Sequence, residues 1–127
     1  MKIIGIGIDL VENGRIAQSL EKFGDHFLRR VFCEGEIAYC SRMRLPVPHY
    51  AARFAAKEAV SKAFGCGIGA EMGMSDVEVV RGETGPPSIV LHRGAATLAE
   101  ERGVREIFVT LSHIDHYSVA QVLLAGE

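Results

Sequence analysis

Six alanines, at positions 51, 52, 55, 56, 59 and 63, fall within seventeen residues that end in Gly65-Cys66-Gly67. Few features constrain a chain more than such a stretch. Pro46 and Pro48 set up a helix predicted over residues 49–64, and the glycines supply its C-cap. At about 100° per residue, Phe54, Glu58 and Lys62 fall on one stripe, and Arg53, Lys57 and Ser61 on the next. The alanines leave the flank behind Glu58 nearly free of side chains. Another backbone can approach that flank closely, which turns Glu58 toward the interior or a seam. A lone carboxylate in such a place is costly unless it is paired or metal-bound.

A strand suited to this helix opens the chain. Residues 3–12 alternate, with Ile4, Ile6 and Ile8 on one face and Gly5 and Gly7 on the other. A glycine face admits a backbone or a ligand at close range. Asp9 projects from that same face near the strand's end. Two carboxylates in these settings suit a hard, oxygen-seeking cation. Mg²⁺ typically takes one or two of them together with substrate phosphate and water. The cations Arg53, Lys57 and Lys62 and the open glycines Gly65, Gly67 and Gly69 suit a polyphosphate. Spacing alone leaves a plainer alternative open: Glu58 and Lys62 as a surface i,i+4 pair, worth about 0.3–0.5 kcal/mol.

Elsewhere the pattern is mixed. Asn13 is expected to cap a helix over residues 13–23, with short helices at 25–31 and 34–43. Strands are predicted at 74–81 and 88–91, separated by the Gly82–Pro87 turn. A helix over 93–102 ends at Gly103, and a terminal hairpin pairs 106–112 with 117–124. Helices followed by mixed strands within residues 1–127 read as one α+β domain. A chain of this size has one core, so a site needing more walls must borrow them from a second subunit.

Charge and cysteine content narrow the function classes. A formal net charge of −2 offers no global field for nucleic acid or a membrane surface. No apolar run approaches the ~18 residues of a membrane span, and the N-terminus is unlike a signal peptide. The chain reads as cytoplasmic. Arg29, Arg30, Arg42, Arg44, Arg53 and Lys57 form a locally basic stretch, either a patch for phosphates or an acidic partner, or ordinary solvated arginines. Cys33, Cys40 and Cys66 are odd in number and lack the close pairing of zinc ligands, so free thiols are expected. His26, His49 and His92 have no partner at ligand spacing, and His116 is expected to be exposed on a turn. Phe23, Phe27 and Phe32 read as core. Ser112-His113 lacks a Gly-x-Ser-x-Gly elbow, and Gly5-x-Gly7 lacks the third glycine of a dinucleotide fingerprint.

Gly5-Ile6-Gly7-Ile8-Asp9-Leu10-Val11-Glu12 and the segment from Arg53 through Lys57-Glu58 and Lys62 to Gly65 resemble two signature motifs of a known family. It is the holo-(acyl-carrier-protein) synthases, the short bacterial type of the 4'-phosphopantetheinyl transferase superfamily. Leu111-Ser112-His113 and Tyr117-Ser118-Val119-Ala120 are similar to the family's third motif, and the resemblance runs in order along nearly the whole chain. It implies a small mixed or antiparallel sheet packed on a long helix, in a homotrimer with sites between subunits. It also implies Mg²⁺-dependent transfer of 4'-phosphopantetheine from coenzyme A to a serine of apo acyl carrier protein, releasing 3',5'-ADP in support of fatty acid biosynthesis.

Carried over by position, Asp9 and Glu58 hold Mg²⁺ and, with Lys62, form the catalytic set. Coenzyme A falls to Arg53, Phe54, Ser61, Lys62, Gly65, Gly67, Ile68, Ser112 and His113. Arg15 and Arg29 face the acidic carrier. The base for the serine proton is either Glu58 or a metal-bound water near Glu36. One departure is Gly85-Pro86-Pro87, where the family usually has Gly-Lys-Pro, which removes a cation near the ligand. Two rival classes stand beside this reading. A Mg²⁺-dependent nucleotide-diphosphate hydrolase acting on coenzyme A would need no carrier. A silent carrier-binding module would lack one of the carboxylates, and both are present.

Overall fold

The computed structural model describes residues 1–127. In chain order the elements are β1 (Lys2–Glu12), α1 (Asn13–Phe23), α2 (Asp25–Val31), α3 (Glu34–Ser41) and α4 (Pro46–Phe64). A 3₁₀ turn (Met74–Asp76) leads into β2 (Val77–Val80), β3 (Ser88–Leu91), α5 (Arg93–Glu101), β4 (Val104–His113) and β5 (Tyr117–Gly126). The strands form an antiparallel sheet in the order β1-β5-β4 and a separate β2-β3 hairpin. The α+β expectation holds.

The alanine flank and the glycine face meet. A Cβ at Gly5 would overlap the Ala63 carbonyl, and one at Gly7 the Ala59 carbonyl. Both positions therefore need glycine for space, and β1 lies directly on the backbone of α4. The main core joins Ala55, Ala59, Val60 and Phe64 of α4 to Val122 and Leu124 of β5 and Val77 of β2. A second cluster around Phe32, Cys40 and Tyr50 fastens α1, α2 and α3 to the start of α4. Phe32 is core as expected and Phe27 packs against that cluster. Phe23, by contrast, is exposed, because it ends α1 beyond the packed face.

Two local expectations change. Helix α4 starts at Pro46 rather than His49, because prolines fit a first turn whose N–H groups have no helical partner. Its C-cap is Gly65 in the left-handed region, at φ 77°. Asn13 does not cap α1 but is its first helical residue, with Glu12 at the N-cap. Its side-chain amide donates to the carbonyls of Ile114 (2.9 Å) and Asp115 (3.1 Å), and its Oδ1 accepts from Ser118 Oγ at 2.7 Å. Asn13 thus pins the β4–β5 turn to the start of α1.

The outer face of the sheet is uncovered. Ile6, Ile8 and Leu10 are 59%, 58% and 65% exposed and turn away from the core. Ile4, expected on the same face, instead packs against the core because the strand register shifts between Ile3 and Gly5. Strand register sets Ile6 beside Leu123 and Leu123 beside Phe108, which is also exposed. The result is a continuous apolar surface across three strands. No helix is long and apolar enough to cross a membrane.

Candidate active site

Because Gly5 and Gly7 seat β1 on α4, Asp9, on the same face as the glycines, reaches the side chains of the next helical turns. Lys62 Nζ donates to Asp9 Oδ1 at 2.9 Å and to the Ile8 carbonyl at 3.1 Å. Glu58, one turn back, is held above the usual carboxylate range, first by burial and then by the Asp9 charge, with Lys62 opposing. Asp9 and Glu58 therefore face a common space and repel each other through it. Both line a cleft of about 590 Å³ between β1, α1 and α4, together with Arg15, Lys22, Phe54 and Tyr117. Two converging carboxylates whose repulsion is only partly answered by one lysine form a donor set that fits a hard divalent cation.

Of the residues expected to act, Asp9, Glu58, Lys62, Phe54 and Arg15 come together here. Arg29, exposed near the end of α2, does not line the cleft. Gly65, Gly67 and Ile68 are exposed just past the end of α4. Ser61 is buried, and its hydroxyl donates to the Glu58 carbonyl at 2.7 Å. Ser112 lies on the outer sheet face opposite Val119.

Arg53 and His113 belong to a second cluster. Arg53 is buried, its Nη1 donates to the His49 carbonyl at 3.3 Å, and its guanidinium sits 4.3 Å from the Tyr39 ring centre. Its Nε is buried without a hydrogen-bond partner. The rings of His49 and His113 lie 5.3 Å apart, edge to face. Burial, followed by His113, Arg53 and Arg81, pushes His49 below the usual imidazole value. A neutral imidazole beside an incompletely satisfied guanidinium, with Arg81 close enough to be felt, is a setting that accepts an anion. Arg81 also brings a cation toward this cluster although position 86 carries proline.

Two expectations are corrected by burial. Lys57 is no phosphate ligand: its Nζ donates to Glu36 Oε1 at 2.7 Å, to the Met74 carbonyl at 3.2 Å and to the Val77 carbonyl, in full burial. Glu36 is buried away from solvent and the cleft, and it also accepts from the backbone N–H groups of Cys33 and Val79, each at 2.9 Å, so it is not placed to hold a catalytic water. The pair is a strut between α3, α4 and β2. Sequence reasoning missed His49, Tyr117 and Lys22. His49 stands four residues before Arg53 on one helix, a spacing that could have found it, and Tyr117 pairs with Glu12 at the mouth of the cleft.

Comparison with known proteins agrees with this geometry. Residues 5–122 match the model of the 4'-phosphopantetheinyl transferase superfamily. Holo-(acyl-carrier-protein) synthase of Koribacter versatilis is 46% identical over 122 residues, covering 96% of this chain and 98% of that protein. The crystal structure of the synthase from Neisseria meningitidis superposes with a TM-score of 0.88 at 30% identity, covering 97% of this chain and 98% of that one. The Helicobacter pylori synthase, solved in complex with coenzyme A, gives a TM-score of 0.84 at 29% identity over 94% of this chain and 99% of its own. With its glycine-faced strand, its alanine-flanked helix and the carboxylates they bring together, the chain belongs to the holo-(acyl-carrier-protein) synthases of the 4'-phosphopantetheinyl transferase superfamily.

Proposed function

We propose that residues 1–127 act as one transferase domain that moves 4'-phosphopantetheine from coenzyme A to a serine hydroxyl of apo acyl carrier protein, releasing 3',5'-ADP. The observation that carries this reading is the convergence of Asp9, Glu58 and Lys62 in a cleft that Arg15 also lines. Asp9 and Glu58 would hold Mg²⁺, which when bound supplies neutralisation of the charge that develops on the diphosphate oxygens. Lys62, now paired with Asp9, is half exposed and free to swing its ammonium onto a phosphate as the ligand enters. Glu58, directly or through one water, would take the serine proton, because it lines the cleft whereas Glu36 is buried in its pair with Lys57. Phe54 gives the cleft an apolar wall, and Arg15 meets the acidic carrier where its serine must enter, with Arg29 further out on α2.

The second cluster is proposed for the nucleotide end of coenzyme A, with Arg53 and His113 toward its phosphates and Ser112, Ser61, Gly65, Gly67 and Ile68 along its path. Ser61 and Gly65 adjoin Glu58 and Lys62 on α4, whereas Arg53, Ser112 and His113 do not line the cleft of their own chain. A homotrimer that buries the apolar sheet face would join one subunit's cleft to the next subunit's second cluster, and that exposed face supports such an assembly. A cytoplasmic location and a place in fatty acid biosynthesis accompany the reading, the former supported by three unpaired thiols.

Intact-mass spectrometry of apo acyl carrier protein incubated with this protein, coenzyme A and Mg²⁺ tests the proposal. The expected result is a gain of one phosphopantetheine arm on the carrier, abolished by EDTA. Degraded coenzyme A with an unmodified carrier would establish the hydrolase instead.

A further inference from the structure

Away from the cleft, Cys33, Glu78 and His92 converge although 45 and 14 residues separate them in sequence. Cys33 stands at the N-cap of α3, Glu78 on β2, and His92 between β3 and α5. The thiol sulfur, a Glu78 carboxylate oxygen and a His92 ring nitrogen all lie within 4.8 Å of one another. All three residues are partly buried, and the cluster opens to solvent through His92. We propose that Cys33, Glu78 and His92 form a binding site for a soft or borderline divalent cation of the Zn²⁺ class, separate from the carboxylate pair in the cleft.

The backbone around these ligands is locked. Glu36 ties Cys33 N–H to Val79 N–H through its two oxygens, each at 2.9 Å, and the buried Lys57 holds Glu36. On the other side, His92 N–H donates to the Asp76 carbonyl at 2.7 Å. Gly35 leaves the carboxylate its room, because a Cβ there would stand 3.0 Å from Glu78 Oε2. Three ligands on anchored backbone need only side-chain adjustment to close on an ion, and a water completes the tetrahedron.

Chemistry sets the class of ion. A thiolate with an imidazole excludes Mg²⁺ and Ca²⁺ and favours Zn²⁺ or Co²⁺. One thiolate, one carboxylate and a neutral imidazole balance a divalent charge, which suits a half-buried place. Metal-free, His92 Nε2 and Glu78 Oε1 share a hydrogen bond at 2.8 Å, and the Cys33 thiol donates to the Ser75 carbonyl at 3.3 Å. Burial pushes that thiol up to about 11, so it is protonated. Binding breaks the S–H bond, forms S–metal, and releases one proton to solvent per ion. Before binding, His92 Nε2–H donates to the Glu78 carboxylate, so on binding the ring shifts its proton to Nδ1 and turns the freed Nε2 lone pair to the metal.

The test is a titration of the full, reduced protein with Co²⁺ in excess Mg²⁺, which keeps the hard carboxylate site occupied. The expected result is a thiolate-to-cobalt charge-transfer band that saturates at one equivalent and is displaced by Zn²⁺. Cys33→Ser should lose the band while Cys66→Ser keeps it. His92→Gln should weaken affinity by at least the ~10-fold typical of losing even an outer-shell partner. Serine is also a good N-cap, so Cys33→Ser should fold, and thermal unfolding in EDTA checks this. Should it not fold, proton release on Zn²⁺ addition to the unaltered protein, about one per ion, and its loss with the His92→Gln effect still decide. No band at stoichiometric Co²⁺, or a band surviving in Cys33→Ser, would overturn the proposal.

Discussion

Gly7 lies so close to α4 that a side-chain methyl there would overlap the carbonyl oxygen of Ala59. A backbone oxygen inside a helix has no rotamer by which to move aside. Gly7→Ala must push β1 off α4, and Asp9, two residues on along the same face, moves with it. The expected cost lies at the upper end of the ~1–3 kcal/mol of overpacked cores, read by urea denaturation. Gly14→Ala, on an open helical surface with nothing within 4 Å, should be neutral or stabilising by up to ~1 kcal/mol. Equal stability of the two variants would contradict the close packing of β1 on α4.

Glu58→Gln should lower transfer at least ~100-fold, as removal of a preorganised electrostatic group commonly does. The same change should stabilise the metal-free protein at neutral pH. The folded-state pKa of Glu58 is raised above 4.5 by burial and then by Asp9, so ionisation opposes folding. Below the unfolded value the carboxyl is neutral in both states and the penalty is absent. As pH rises through the folded value the penalty becomes complete. The stability gap in EDTA should therefore be present at pH 7 and vanish at acid pH, and Mg²⁺ should raise the melting temperature of the unaltered protein only. A metal-free Glu58→Gln protein less stable than its parent at pH 7 would count against this electrostatic account.

The elements themselves were legible from local pattern. Strand alternation, the alanine run and the Gly65 cap each act within a few residues, so their existence and the shared face of Asp9, Gly7 and Gly5 could be read directly. What pattern could not show was destination. Lys57 and Lys62 look alike in sequence, yet Lys57 meets Glu36, 21 positions away, in full burial, and Lys62 reaches Asp9 from the surface. Asn13 carries the residue type of a cap but is claimed by the β4–β5 turn, about a hundred residues on. Cys33 and His92 lacked partners at ligand spacing because their partners come from tertiary packing. Motif matching could go further at the cleft, since a signature compresses such long-range meetings into local letters.

Lys57→Met separates the two lysines by experiment. It leaves Glu36 buried with an uncompensated charge, and breaking a buried pair in this way costs about 3–5 kcal/mol. Lys62→Met removes a half-exposed partner of Asp9 and should change stability by no more than ~1 kcal/mol while depressing transfer. Chemical denaturation paired with carrier-modification rates distinguishes them. If Lys57→Met were stable and selectively impaired in coenzyme A binding, Lys57 would be a ligand after all.

Arg15 and Arg29 share a sequence expectation but not a place. Arg15 lines the cleft beside Asp9 and Glu58, whereas Arg29 lies outside it on α2. Arg15→Glu should raise KM for the carrier far more than for coenzyme A, and Arg29→Glu should do so to a smaller degree. The Arg29 effect should also fade sooner with added salt, because it acts at longer range. Equal loss of carrier and coenzyme A affinity in Arg15→Glu would displace Arg15 from the carrier's path.

The apolar sheet face offers the sharpest test of assembly. Ile8 is 58% exposed in the single chain and packs no core, so Ile8→Asp should leave the fold of each subunit intact. A buried aspartate at an apolar seam between subunits has no counter-charge there and is strongly unfavourable. Light scattering coupled to size-exclusion chromatography should therefore show the parent as a trimer and the variant as a folded monomer. Because the cleft and the Arg53–His49–His113 cluster are proposed to meet only across subunits, the monomer should also lose transfer. A variant that stays trimeric would rule out this face as the interface. A monomer with full activity would confine coenzyme A to one chain, and Arg53 and His113 would then need another role.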